Sequence, residues 1–139
     1  MPETIVDCVF GKMEYKHSWT KKEELKVFGK TYLVNITAQA YKGNSILEEQ
    51  RAFYVEYKKR ISKIIEKALP KIEEYCTKSF NLSNITQDNV ISALTPKTVL
   101  FQRDGTWGLL FDCIWDEEHG VGLLIKNDEL IIGPQDILL

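Results

Sequence analysis

Hydrophobic and polar residues alternate with period two towards both ends of the chain and with period 3.6 in its middle, which predicts strands, a long helix and more strands. Residues 4 to 10 and 12 to 16 read as two short strands broken at Gly11, and His17 to Glu23 is polar enough to read as a loop. Leu25 and Val27 alternate with charged neighbours. Phe28-Gly29-Lys30-Thr31 then supplies a two-residue turn with glycine first, suited to a type II′ hairpin. The returning strand, Thr31 to Tyr41, sets Tyr32, Val34, Ile36, Ala38 and Ala40 on one face and Thr31, Asn35, Thr37 and Gln39 on the other, as in a sheet with one buried side.

Gly43-Asn44 closes this strand, and Ser45-Ile46-Leu47-Glu48 has the Ser-x-x-Glu form of a capping box, so a helix is expected to start there. Ile46, Phe53, Tyr57, Ile61, Ile64, Ala68, Ile72 and Tyr75 follow the helical period, with Gln50 the one polar member of the stripe. Lys58, Lys59, Lys63, Glu66, Lys67 and Lys71 fall on the other faces. The apolar phase runs through Pro70, where an interior proline costs ~3 kcal/mol, so the pattern predicts one bent helix or two abutting ones.

Residues 79 to 96 are rich in Asn, Ser and Thr and read as a connector with a short helical turn around Asp88 to Ala93. The last third reads as a meander. Thr98 to Arg103 is a strand, Asp104-Gly105 is a hairpin turn, and Thr106 to Trp115 returns. Asp116 to Gly120 turns again, Val121 to Lys126 is the third strand, Asn127-Asp128 turns, Glu129 to Ile132 is the fourth, and Gly133-Pro134 ends it. No repeat or linker interrupts the chain. The expected architecture is a single α+β domain over residues 1–139, with antiparallel strands first, one long helix packed on the sheet, and a C-terminal four-stranded β-meander.

Composition adds limits. At 139 residues and 44% hydrophobic, the chain can bury a core without staples, and a net charge of −2 excludes a strongly basic nucleic-acid binder. The charge is uneven, because residues 103 to 139 carry two basic and eight acidic residues. Cys8, Cys76 and Cys113 are odd in number and lack CxxC spacing, which indicates neither a disulfide framework nor a zinc ribbon. The N-terminus does not read as a signal peptide and no stretch approaches a membrane span, so a cytosolic protein without membrane contact is expected.

Chemistry concentrates in Trp107 to Gly120. Alternation puts Trp107, Leu109, Phe111, Cys113 and Trp115 on an apolar face, and Gly108, Leu110, Asp112, Ile114 and Asp116 on the other, so Asp112 is expected to be partly covered. Asp112, Asp116, Glu117, Glu118 and His119 are candidates for a hard-metal or acid/base site. The plainer alternative is a hairpin turn in which Asp116 caps, Glu117 and Glu118 are solvated, and Gly120 supplies positive φ. Cys113 with His119 suggests a thiol and base, but an inward Cys113 behaves as a small hydrophobe. His17 reads as a surface residue. No GxSxG, P-loop or GxGxxG motif occurs, and the lysines and tyrosines of the helix read as a solvated face rather than a nucleic-acid surface.

Several motifs together resemble a family of small bacterial domains of unknown function. They are Asp7-Cys8-Val9-Phe10-Gly11, Phe28-Gly29-Lys30-Thr31-Tyr32, Leu94-Thr95-Pro96-Lys97, the Asp104 to Gly120 pattern D-G-x-W-G-x-L-x-D-x-x-W-D-x-E-H-G, and Gly133-Pro134-Gln135-Asp136-Ile137. Cys8 stands where the family pattern is expected to have proline. The resemblance implies no activity and no cofactor; what it implies is an immunity-type or accessory protein encoded near bacterial toxin genes. Two functions follow. One is a non-enzymatic interaction domain that meets a basic toxin or other protein partner through Asp116, Glu117, Glu118, Asp128 and Glu129. The other is a metal-assisted hydrolase using Asp112, Asp116, Glu118 and His119. A homo-oligomer joined through the long helix is a third arrangement.

Overall fold

A computed structural model describes residues 3–138, so Met1, Pro2 and Leu139 of the expected 1–139 domain lie outside the described residues. Eight strands run in sequence order through one sheet: β1 (Thr4–Asp7), β2 (Gly11–Tyr15), β3 (Trp19–Val27), β4 (Lys30–Ala38), β5 (Leu94–Phe101), β6 (Trp107–Cys113), β7 (Val121–Lys126) and β8 (Glu129–Gly133). Helix α1 (Glu48–Ser79) and the short α2 (Gln87–Ala93) lie between β4 and β5, and a 3-10 turn, Gln135–Leu138, ends the described chain. All neighbours pair antiparallel except β4 and β5, which are parallel. The two expected groups of strands are therefore one sheet, joined through the crossover that α1 and α2 supply. Among the described residues no helix is long and apolar enough to cross a membrane.

The expected loop at His17 to Glu23 is a strand from Trp19 onward, with only the stretch around His17 turning, at φ 67°. Its inward face carries Lys21 and Glu23 between Trp19 and Leu25, which hides the apolar alternation. Those charges have partners. The Lys21 ammonium donates to Phe10 O and lies 2.8 Å from the Tyr54 hydroxyl, which donates to the Glu23 carboxylate at 3.0 Å. Burial of Tyr54, and then the neighbouring Glu23, push its hydroxyl well above the usual tyrosine range, and burial lowers Lys21.

The hairpin that follows is shifted by one residue. Val27 pairs with Lys30, so the turn is Phe28-Gly29, and both residues have positive φ (57° and 71°). That is a type I′ turn rather than the expected type II′, with a bulky aromatic where Asn or Gly is favoured.

Helix α1 is one continuous helix through Pro70. Pro70 lies on the exposed side, where the carbonyl that loses its partner can bond water instead. The Ser45–Glu48 capping box does not form. Leu47 is the N-cap residue, and Gln50 Oε1 accepts from its backbone N–H at 2.9 Å. Gln50 is fully buried, and its Nε2 donates to both Gln39 O and Phe101 O at 2.9 Å, closing the gap where β4 and β5 end. The buried stripe also takes in Tyr54, Ile65 and Cys76, while Phe53 and Tyr75 are only half-buried. Replacing Gln50 with Leu removes one of two donors from each carbonyl, since Gln39 N–H still reaches Phe101 O and Arg103 still reaches Gln39 O, and takes the acceptor from Leu47 N–H. Urea denaturation is expected to show a loss of about 1 kcal/mol, and an unchanged midpoint would count against this bonding.

Strand β5 begins at Leu94, not Thr98, and runs through Pro96 with a register shift between Pro96 and Thr98. Its pairing with β4 starts only at Thr98, so Pro96 occupies a stretch with a free edge and owes no ladder N–H. The loop to β6 is longer than the expected two-residue turn, because Phe101 pairs with Trp107. Asp104 Oδ1 accepts there from the Thr106 backbone N–H at 3.2 Å and from its hydroxyl at 2.6 Å. On the helix side, Phe10, Tyr54, Tyr57, Phe101 and Trp107 form one aromatic cluster. On the far side, Leu138 of the 3-10 turn packs with Leu100 and Leu110 in a second, small core.

Candidate functional site

Strand β6 delivers the charged run to one end of the sheet. Trp107, Leu109, Phe111 and Cys113 are buried as the alternation predicts, but the strand ends at Cys113, and Trp115 is half-buried against Phe80. Beyond Cys113 the chain is pinned. Ile114 N–H donates to Ala93 O at 3.0 Å, Asp116 N–H to Cys113 O at 3.2 Å, and Gly120 N–H to Asp116 O at 2.8 Å. Asp116 Oδ1 accepts from His119 N–H at 3.1 Å and lies 3.2 Å from His119 Nδ1, and Gly120 has φ 59°. This is the Asx-capped turn that the sequence allows as the plainer alternative.

The C-terminal segment holds the same turn from the other side. Gln135 N–H donates to His119 O at 3.0 Å, and Gln135 Nε2 donates to Phe111 O at 2.7 Å. Four glycines make room for this segment. A Cβ would lie 2.3 Å from Gln135 at Gly120, 3.1 Å from Pro134 O at Gly122 and 2.9 Å from Ile137 at Gly133, while at Gly108 it would meet Leu123 O of β7 at 2.1 Å before Leu138 at 3.0 Å.

Asp112 is not covered as expected. Its side chain is 62% exposed and its nearest cation is Lys97 at 3.9 Å, an exposed pair that contributes little to stability. Ile114 is 66% exposed, and Glu117 and Glu118 are solvated. Ala93, Thr95, Asp112, Cys113, Ile114 and Glu117 line a notch of about 320 Å³. The site is therefore an open apolar knob, Ile114, among carboxylates on a backbone fixed from two sides.

The expected metal set does not assemble. Asp116 and His119 bond each other, Asp112 faces Lys97, and among the described residues no group of three or more His, Cys, Asp or Glu is placed to hold a metal ion. Cys113 is buried, which pushes its thiol up, whereas His119 is exposed and turned to Asp116. Neither is arranged as a nucleophile and base.

The acidic surface is also divided. Asp116, Glu117 and Glu118 precede β7, while Asp128 and Glu129 follow it at the opposite end of the sheet, about 20 Å away for a strand of six residues. Asp128 lies 3.9 Å from Arg60 on α1. Charge along the sequence cannot reveal that division, because a strand reverses position without changing composition. Exposure of Ile114 was equally illegible, since its alternation with Leu110 suggests cover that the 3-10 turn gives only to Leu110.

The model of a family described as Domain of unknown function (DUF6985) matches residues 9–139. No curated protein and no solved structure matches the chain.

Proposed function

We propose that this chain, which belongs to the DUF6985 family, is a non-enzymatic interaction domain that binds a basic protein partner at the Asp112–Glu118 end of its sheet. The observation that carries this reading is the exposed Ile114 among Asp112, Glu117 and Glu118, on a turn held by Ala93 and Gln135. A large apolar side chain ringed by charge suits a contact in which Ile114 is buried and the carboxylates steer a cationic surface. Because the turn is fixed beforehand, binding loses little backbone entropy. The far acidic pair, Asp128 and Glu129, belongs to a separate surface and is not needed for this contact.

The sequence likeness to small bacterial domains narrows the partner to a basic toxin or other protein encoded nearby, with this chain as its immunity or accessory protein. Co-expression with the neighbouring toxin gene tests that role. Rescue of growth is expected with the native chain and is expected to fail with Asp112→Lys, Glu117→Lys and Glu118→Lys combined, whose exposed positions leave folding intact. Ile114→Ser should weaken binding on its own. Equal rescue by native and charge-reversed proteins would place the contact elsewhere, and rescue by neither would remove the immunity role.

A further inference from the structure

A cleft larger than that notch lies apart from it, where the tip of the β3–β4 hairpin leans towards α1 and α2. It encloses about 630 Å³, within the range of small-ligand sites, and its apolar wall comes from Val27, Phe28, Ile65, Leu69 and Ile91. Phe28 is held in the left-handed region at φ 57°, a conformation unfavourable for a bulky residue, in a turn that would accept Asn or Gly without strain. The strain is retained where the ring lines the cleft, and such outliers gather at ligand sites.

The rim is charged. Lys26, Lys30 and Glu66 border the cleft, and none of the three makes an ion pair among the described residues. Lys30 sits opposite Val27 in the antiparallel register and so projects to the helix side of the sheet. Lys26, opposite Thr31, projects to the other face, so Lys30 is the cation this register turns towards the cleft, and a single anionic head is its match. We propose that this cleft binds a small amphipathic monoanion, an alkyl or aryl carboxylate whose apolar body lies against Phe28, Ile65, Leu69 and Ile91 and whose head meets Lys30.

Methyl NMR with octanoate as the probe tests this on the full chain. Saturable shifts are expected at Ile65, Leu69 and Ile91, with octanol and octylamine binding more weakly. Lys30→Gln should weaken octanoate binding about three- to fivefold and Glu66→Gln should tighten it, the scale of one exposed charge contact. Added salt should weaken it as well. Phe28→Asn, which supplies the favoured Asn-Gly turn and so keeps the hairpin, should abolish the shifts. Absence of shifts at these methyls, octanol or octylamine matching octanoate, or Lys30→Gln without effect would each overturn the proposal. These outcomes do not involve Asp112 or Ile114, so they leave the protein-binding site separately testable.

Discussion

Asp7→Ala is expected to lower the unfolding free energy by about 3 kcal/mol, the low end for breaking a buried ion pair. Asp7 is 6% exposed, and its carboxylate is shared between two tasks. Oδ2 accepts from the Val9 and Phe10 backbone N–H groups at 3.0 and 2.9 Å, fixing the β1–β2 turn. Oδ1 takes Arg51 Nε at 2.8 Å and Nη2 at 2.7 Å, tying that turn to α1. Removing the carboxylate leaves a guanidinium whose side chain is only 20% exposed and whose remaining partner is the exposed Glu48. Asp7→Asn keeps an acceptor for the turn but loses the charge, so a smaller loss, about 2 kcal/mol, is expected. Urea denaturation at neutral pH checks both, and values within about 0.5 kcal/mol of the native chain would show that the pair is dispensable.

Acid should expose the same interaction. Burial pushes the Asp7 carboxyl up, but the Arg51 hydrogen bond, the two backbone N–H groups and the guanidinium charge together hold it below the usual carboxylate range. A carboxyl that binds its proton more weakly in the native than in the unfolded state stabilises the fold above its unfolded pKa. That stabilisation is lost as pH falls through the native value. The difference between the native chain and Asp7→Asn should therefore be full at pH 7 and shrink from about pH 5 downward. A difference that grew on acidification would reverse the assigned sign.

The parts of this fold that were legible in sequence are those where one period dominates. Ile61, Ile64, Ala68 and Ile72 mark α1, and Trp107, Leu109, Phe111 and Cys113 mark the inward face of β6. Strand β3 was illegible for a definite reason, because Lys21 and Glu23 occupy inward positions and become tolerable only through a hydroxyl on a helix some thirty residues later in the chain. The parallel pairing of β4 with β5 is likewise set by the crossover rather than by either strand's pattern. At the candidate site, the Asp116 turn could be read from local chemistry, but the exposure of Asp112 and Ile114 depends on how far the C-terminal 3-10 turn extends over the sheet.

Many residues of the family-like pattern accordingly serve packing. Asp104 and Thr106 close the β5–β6 loop, Trp107 fills the aromatic cluster, and Asp116 caps the next turn. Gly108 and Gly120 face the C-terminal segment, whose own Gln135 and Ile137 belong to the same set of motifs. The motifs thus describe two parts of one interface within the chain, and that interface holds Ile114 and its carboxylates in place.

Gly120→Ala is the direct test of that interface and should cost about 3 kcal/mol. Part of the cost is the backbone, since φ 59° is the left-handed region, which charges an alanine roughly 1–2 kcal/mol. The remainder is space. A Cβ would stand 2.4 Å from Phe111 O and 2.3 Å from Gln135 Nε2, which accept and donate the bond that joins the two segments, so neither can withdraw without breaking it. Gly43→Ala supplies the control, because Gly43 has φ 88° and nothing within 4 Å of a Cβ, leaving only the backbone cost. In urea the Gly120 variant should therefore lose about 1–2 kcal/mol more than the Gly43 variant, and Gln135→Ala in the Gly120→Ala background should recover part of that difference. Equal losses at the two glycines would mean that the C-terminal segment does not hold the turn, and the fixed platform on which the Ile114 contact depends would be lost with it.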